Sequence, residues 1–129
     1  MIIKQSDLDC LLELTRQAHP EECCGLIVGD GETVERLMPS ANITTGDKTR
    51  SFELDPKVRF ELIRESGERA LMGFYHSHPN GSPFPSETDK SMVYEPELLW
   101  VITTLDKIKA FRFCEVNQDF EEIPIQVKL

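Results

Sequence analysis

Apolar positions recur at helical spacing near the start of the chain. Leu8, Leu11, Leu12, Thr15 and Ala18 fall on one side of a helix that Ser6 would cap, with Asp9 in support, and that runs to about His19 before Pro20. The period then changes. CGLIVGD is a short apolar run closed by glycines, and with GETVERLMP it predicts a two-stranded hairpin around Asp30 and Gly31. SANITTGDKTRS is polar and turn-rich, hence a loop. FELDPKVRFELIRESGERA starts a second helix near Pro56, with Val58, Phe60, Leu62 and Ile63 among its apolar positions. LMGFY is a buried strand that delivers the chain to His76. After a proline-rich loop, Ser86 to about Val93 predicts a short helix. ELLWVITTLD, KAFRFCEV and FEEIPIQVK alternate as three closing strands, with Asn117 to Asp119 turning the last hairpin. The order predicts an α+β domain, a sheet with helices packed on it.

The length of 129 residues and a hydrophobic content of 40% suit one domain over residues 1–129, closed around one core. Charge changes the list of partners: 14 basic against 23 acidic residues give a net of -9, and no window gathers Lys or Arg into a track for phosphates. Nucleic acid and anionic membranes are therefore not expected partners. MIIKQSDLDCLLELT is too acidic and too briefly apolar for a signal peptide, and no later segment reaches membrane-spanning length. A cytoplasmic protein is the expectation. Cys10, Cys23, Cys24 and Cys114 show no C-x-x-C spacing, so they are read as small apolar residues without a catalytic role.

Candidate chemistry is concentrated in HSHPNGSPFPSETD, residues 76–89. Side chains alternate along a strand, so His76 and His78 project from the same face where LMGFY ends. Neutral imidazole suits zinc, and a carboxylate from elsewhere in the chain completes a three-ligand site with an open fourth position. Asp89, eleven residues after His78, can supply it because Pro79, Gly81, Pro83 and Pro85 let the loop fold back. Plain structural readings compete. A histidine is more often packed or solvated than metal-bound, and Ser86 with Asp89 has the S-x-x-D form of a helix capping box.

Together, His76-Ser77-His78-Pro79, Ser86 and Asp89 match without a gap the H-[ST]-H-P-x6-S-x2-D signature of the JAMM, or MPN-plus, metalloprotease family. PEECCGLIVGD resembles that family's first motif, a glutamate three residues before a glycine that opens an apolar strand. The strand pattern alone does not choose between Glu21 and Glu22; the family register selects Glu22. The resemblance covers nearly the whole chain and implies a mixed, curved β-sheet flanked by helices, of cytidine-deaminase-like architecture. It implies that His76, His78 and Asp89 bind one Zn2+ per chain, that Glu22 is the general base, and that Ser86 hydrogen-bonds the oxyanion. Ser86 can also cap its helix. Asn42 and Ser77 lie close to the site in the family layout and are left outside the catalytic set. Cys23 and Cys24, adjacent on a strand, face opposite sides and cannot easily chelate one ion.

Members of the family hydrolyse amide or isopeptide bonds at the C-terminal tail of ubiquitin or ubiquitin-like proteins. This chain resembles the compact prokaryotic branch, which implies a ubiquitin-like sulfur-carrier protein with a C-terminal Gly-Gly tail as partner; a homodimer is compatible with the family. The alternative is a non-catalytic MPN scaffold that binds such a partner; scaffolds typically lack a metal ligand, and all three are here. A zinc deaminase would need H-x-E and a later P-C-x-x-C, which the sequence lacks.

Overall fold

The computed structural model describes residues 1–129. In chain order the elements are β1 (Ile2–Lys4), α1 (Gln5–Ala18), β2 (Cys24–Gly29), β3 (Val34–Ser40), α2 (Pro56–Ser66), β4 (Leu71–Ser77), α3 (Glu87–Ser91), β5 (Leu99–Thr103), β6 (Ile108–Cys114), β7 (Asp119–Ile123) and β8 (Gln126–Lys128). Six strands form one sheet in the order β3-β2-β4-β5-β6-β7, and β1 pairs with β8 in a separate parallel ribbon. The fold is α+β with a mixed sheet, as expected.

Differences from the expected elements have local causes. Ser6 does not cap α1. The N-cap is Lys4, without a side-chain bond, because the chain enters the helix directly from β1 in extended conformation. The expected FEEIPIQVK strand is two strands separated at Pro124, which has no N–H for a ladder and frees β8 to pair with β1. In α2, Asp55 caps the helix by accepting from the Lys57 N–H (3.1 Å), and Pro56 takes the first turn. Only Val58 and Leu62, one turn apart, are buried there; Phe60 and Ile63 point to solvent. α3 ends at Ser91, short of Val93.

Alternation along β2 builds two cores. Ile27 packs with Leu11, Tyr75 and Val101 under α1, while Leu26 and Val28 pack with Val58 and Leu62 under α2. No helix is long and apolar enough to cross a membrane.

The topology decides where chemistry can sit. β4 and β5 are the one parallel pair in the large sheet, so the chain must cross over between them. That crossover is the histidine loop with α3, leaving from the C-terminal end of β4. β2 runs antiparallel to β4, with Cys24 opposite His76, so the residues just before β2 arrive at the same end of the sheet.

Candidate active site

His76, the penultimate residue of β4, is fully buried; its ring stacks on Phe52 (centroids 4.4 Å apart) and meets Trp100 edge-on at 5.5 Å. His78 lies just past the strand, where its N–H donates to the Thr103 carbonyl (2.8 Å). Its Nδ1 is 2.8 Å from the Ser82 carbonyl. A carbonyl only accepts, so Nδ1 carries the proton and the Nε2 of a neutral ring is left with its lone pair free.

The two Nε2 atoms are 3.0 Å apart, and Asp89 places Oδ1 3.2 Å from His76 Nε2 and Oδ2 3.1 Å from His78 Nε2. Donors around one tetrahedral zinc, with bonds of about 2.1 Å, stand about 3.4 Å apart. The observed spacings approach that value. The donor set of two nitrogens and one oxygen fits a divalent metal.

Asp89 also serves its helix. Ser86 Oγ accepts from the Asp89 N–H (3.1 Å), and Asp89 Oδ2 accepts from the Ser86 N–H (2.9 Å). The capping box is therefore formed, and it does not use up the lone pairs of the Asp89 carboxylate.

Glu22 lies two residues before β2, buried, whereas Glu21 is exposed. Its N–H donates to the Lys48 carbonyl (2.7 Å), and its carbonyl accepts from Asn42 Nδ2 (3.1 Å). The Asn42 amide also donates to the Ser51 carbonyl (3.0 Å), while Oδ1 accepts from the N–H groups of Thr44 (3.2 Å) and Glu53 (3.1 Å). Asn42 thus ties the 44–53 loop to the residue that carries the carboxylate. Ser77 acts similarly on the other flank, accepting from the Cys23 N–H at 2.8 Å. Neither role is visible in sequence, where Asn42 sits in a polar loop and Ser77 is one small residue between histidines. Cys24 packs with Phe52 and Trp100, and Cys23 lies against the core under α1, so the pair does face opposite sides.

Electrostatics follow from burial and contact. Desolvation pushes the Glu22 carboxyl up to about 7, His78 draws it back and Asp89 adds to the rise. Burial lowers His76 and favours its neutral ring. For His78 burial works downward too, but the hydrogen bond and charge of Asp89 prevail and raise it. Burial would raise Asp89, yet the two imidazoles and the Ser86 N–H hold it below the usual carboxylate range.

A stability test follows for the metal-free protein. Between 4.5 and about 7 the folded chain keeps a proton on Glu22 that the unfolded chain has released, so this group makes stability fall as pH rises through that window. Glu22→Gln is expected to reduce the fall, read as urea midpoints of chelator-treated proteins at about pH 5 and about pH 8. An equal drop in wild type and variant would assign the fall to other groups.

The site opens into a cleft of about 870 Å³ whose walls are polar or charged residues and two prolines; Glu22, His78, Ser86, Asp89 and Arg50 all line it. A smaller apolar cavity of about 410 Å³ lies behind Phe52 and Trp100 and includes none of the three donors. His78 and Asp89 line the polar cleft and not the apolar cavity; His76, fully buried, lines neither.

Comparison with known proteins agrees with this geometry. The family described as prokaryotic homologs of the JAB domain matches residues 4–115. Desampylase of Haloferax volcanii is 32% identical over 115 residues, which are 84% of this chain and 80% of that protein. The probable TtuB-protein conjugate cleaving protease of Thermus thermophilus is 35% identical over 112 residues, 78% of this chain and 70% of that one. The solution structure of protein DSY2949 from Desulfitobacterium hafniense is similar at a TM-score of 0.83 and 28% identity, covering 99% of this chain and 93% of that chain. With the His-His-Asp cluster at the end of β4 and a family match across most of its length, the chain belongs to the prokaryotic homologs of the JAB domain and is a hydrolase of the JAMM type.

Proposed function

We propose that this chain hydrolyses an amide bond at the C-terminal tail of a ubiquitin-like protein of the sulfur-carrier kind, with one zinc held by His76, His78 and Asp89. The observation that carries the reading is the convergence of those three donors, two of which, His78 and Asp89, line a polar cleft together with Glu22. Zinc bound there supplies Lewis acidity, which lowers the pKa of a water toward about 7 and polarises the scissile carbonyl.

The chain's own residues do the rest. Glu22 is the base: its carboxylate takes a proton from the attacking water and passes it to the leaving nitrogen. Burial serves this role, since it raises the Glu22 carboxyl in the metal-free chain and so favours holding a proton, while a bound cation would act in the opposite direction. Ser86 Oγ spends a lone pair on the Asp89 N–H, which leaves its O–H free to donate to the developing oxyanion. Asn42 and Ser77 hold Glu22 and the start of β2 in place. A cleft without bulky apolar walls accommodates a glycine tail, which needs no side-chain pockets. The conjugate-cleaving name of the Thermus relative supports a protein substrate. Four free thiols are consistent with a reducing, cytoplasmic setting.

The test is a ubiquitin-fold carrier whose Gly-Gly tail is extended by one residue, incubated with the zinc-loaded protein and weighed by mass spectrometry. Loss of the extension is expected. An unchanged mass with zinc bound would contradict hydrolysis and favour a binding module.

A further inference from the structure

We infer that Phe52 is a positioning residue for the metal centre. Its ring, stacked on His76, fixes the plane of that imidazole and so aims the Nε2 lone pair, a task that a hydrogen bond performs for His78. The inference rests on the reading of His76 as a metal ligand and names what holds that ligand.

The two histidines are supported in different ways. His78 Nδ1 meets the Ser82 carbonyl at 2.8 Å, so turning its ring breaks a hydrogen bond. His76 Nδ1 is closed to solvent and has no hydrogen-bonding partner in the chain. A histidine that binds metal almost always directs its other ring nitrogen to a carboxylate, a carbonyl or water, and that bond sets the orientation of the ring. His76 has this support from no protein group. With Nε2 as the ligand atom, 3.0 Å from His78 Nε2 and 3.2 Å from Asp89 Oδ1, the proton of the neutral ring is on Nδ1, where it anchors nothing.

Packing takes the place of that bond. On the flanking strands Cys24 and Ile102 lie opposite His76, and the Cys24 thiol donates to the Ala41 carbonyl (3.7 Å). Three aromatic rings surround the imidazole. Trp100 and His78 meet it at 88° and 67°, and Phe52 alone lies nearly parallel to it, with planes 20° apart and centroids 4.4 Å apart. The lone pair of an imidazole nitrogen lies in the plane of the ring. Whatever fixes that plane therefore decides whether Nε2 points at the site it shares with His78 and Asp89.

Phe52 is itself held. It is buried, and both residues beside it are bonded to Asn42: the Ser51 carbonyl accepts from Asn42 Nδ2 (3.0 Å), and the Glu53 N–H donates to Asn42 Oδ1 (3.1 Å). The Glu53 carbonyl also accepts from the Ile43 N–H (2.9 Å). One anchor thus gives two supports, since Asn42 steadies the Glu22 backbone directly, at 3.1 Å from its carbonyl, and His76 through Phe52. A ligand held ready in this way loses less freedom when metal binds, and the difference is read as affinity.

The experiment compares wild type with Phe52→Leu, Phe52→Tyr and Val58→Ala. Zinc affinity is read by competition with a chromophoric chelator, and the visible absorption of the cobalt-loaded protein reports the coordination geometry. Circular dichroism of the metal-free proteins checks that each is folded. Phe52→Leu keeps an apolar side chain but loses the flat face, and is expected to weaken zinc binding roughly 10–100-fold and to alter the cobalt spectrum. Phe52→Tyr keeps the ring and should retain both. Val58→Ala truncates the core under α2, a cluster separate from that of Phe52 and Trp100, and should bind zinc as the wild type does. Should Phe52→Leu fail to fold, Phe52→Met, nearer in volume and equally without a ring, is read in its place. Wild-type affinity and spectrum in the variant without a ring, or an equal loss in Phe52→Tyr or Val58→Ala, would overturn the positioning role and leave the metal site standing. A wild type that binds neither metal would overturn both.

Discussion

Glu22→Gln is expected to lower turnover of a tail-extended carrier by roughly 10²–10⁴-fold, the range that a positioned general base contributes, while bound metal stays unchanged. Glutamine preserves the shape of the side chain and the backbone bonds to Lys48 and Asn42, so the cleft should keep its form. What it cannot do is accept a proton. The neighbouring Glu21 is exposed and cannot take over without rebuilding the segment before β2. Removing a buried carboxyl should also leave the metal-free fold no weaker at neutral pH, so low turnover could not be assigned to unfolding. Turnover within about twofold of wild type, measured at saturating substrate, would remove Glu22 from the chemistry.

Asp89→Ala should cost more than activity. The side chain completes the donor set, accepts from the Ser86 N–H at the start of α3, and faces two buried imidazoles. Its loss leaves two Nε2 atoms 3.0 Å apart without the carboxylate that meets both of them. We expect bound metal to disappear and the metal-free protein to lose about 3 kcal/mol, since a charge-assisted buried cluster is broken from one side. Ser86→Ala removes only part of the capping box and should cost about 1 kcal/mol with metal retained. Comparing the two by urea denaturation separates the helix cap from the site. A common, small loss for both would mean that Asp89 is a cap and little more.

These expectations rest on features of unequal legibility in the sequence. The β2–β3 hairpin, the start of α2 at Pro56 and the strand leading to His76 all follow from local signals: an Asp-Gly turn, a capped proline and a short apolar run. The β1–β8 ribbon does not, because it joins the two ends of the chain and neither end carries a pattern that reports its partner. For the same reason Ser6 looks like a cap when the chain in fact enters α1 already extended. Phe60 and Ile63 fit a helical pattern but miss the narrow stripe, Val58 and Leu62, that the sheet covers.

At the site, His76, His78 and Asp89 were readable because metal chemistry demands particular residue types at workable spacing. The choice between Glu21 and Glu22 was not, since a single slip in strand register exchanges their faces. The fold puts Glu22 in the cleft by running β2 antiparallel to β4, a pairing made across almost the whole length of α2 and its flanking loops. Asn42 stayed hidden for a related reason: its four hydrogen bonds reach Glu22, Thr44, Ser51 and Glu53, and only the folded loop brings those groups together.

The central claim is that His76, His78 and Asp89 form one metal centre on which the hydrolysis depends. Elemental analysis of the purified protein after dialysis against zinc, with Asp89→Ala treated in parallel, tests it most directly. About one zinc per wild-type chain and none in the variant is the predicted result. A wild type that binds no zinc, or an Asp89→Ala protein that binds as much as wild type, would contradict the account.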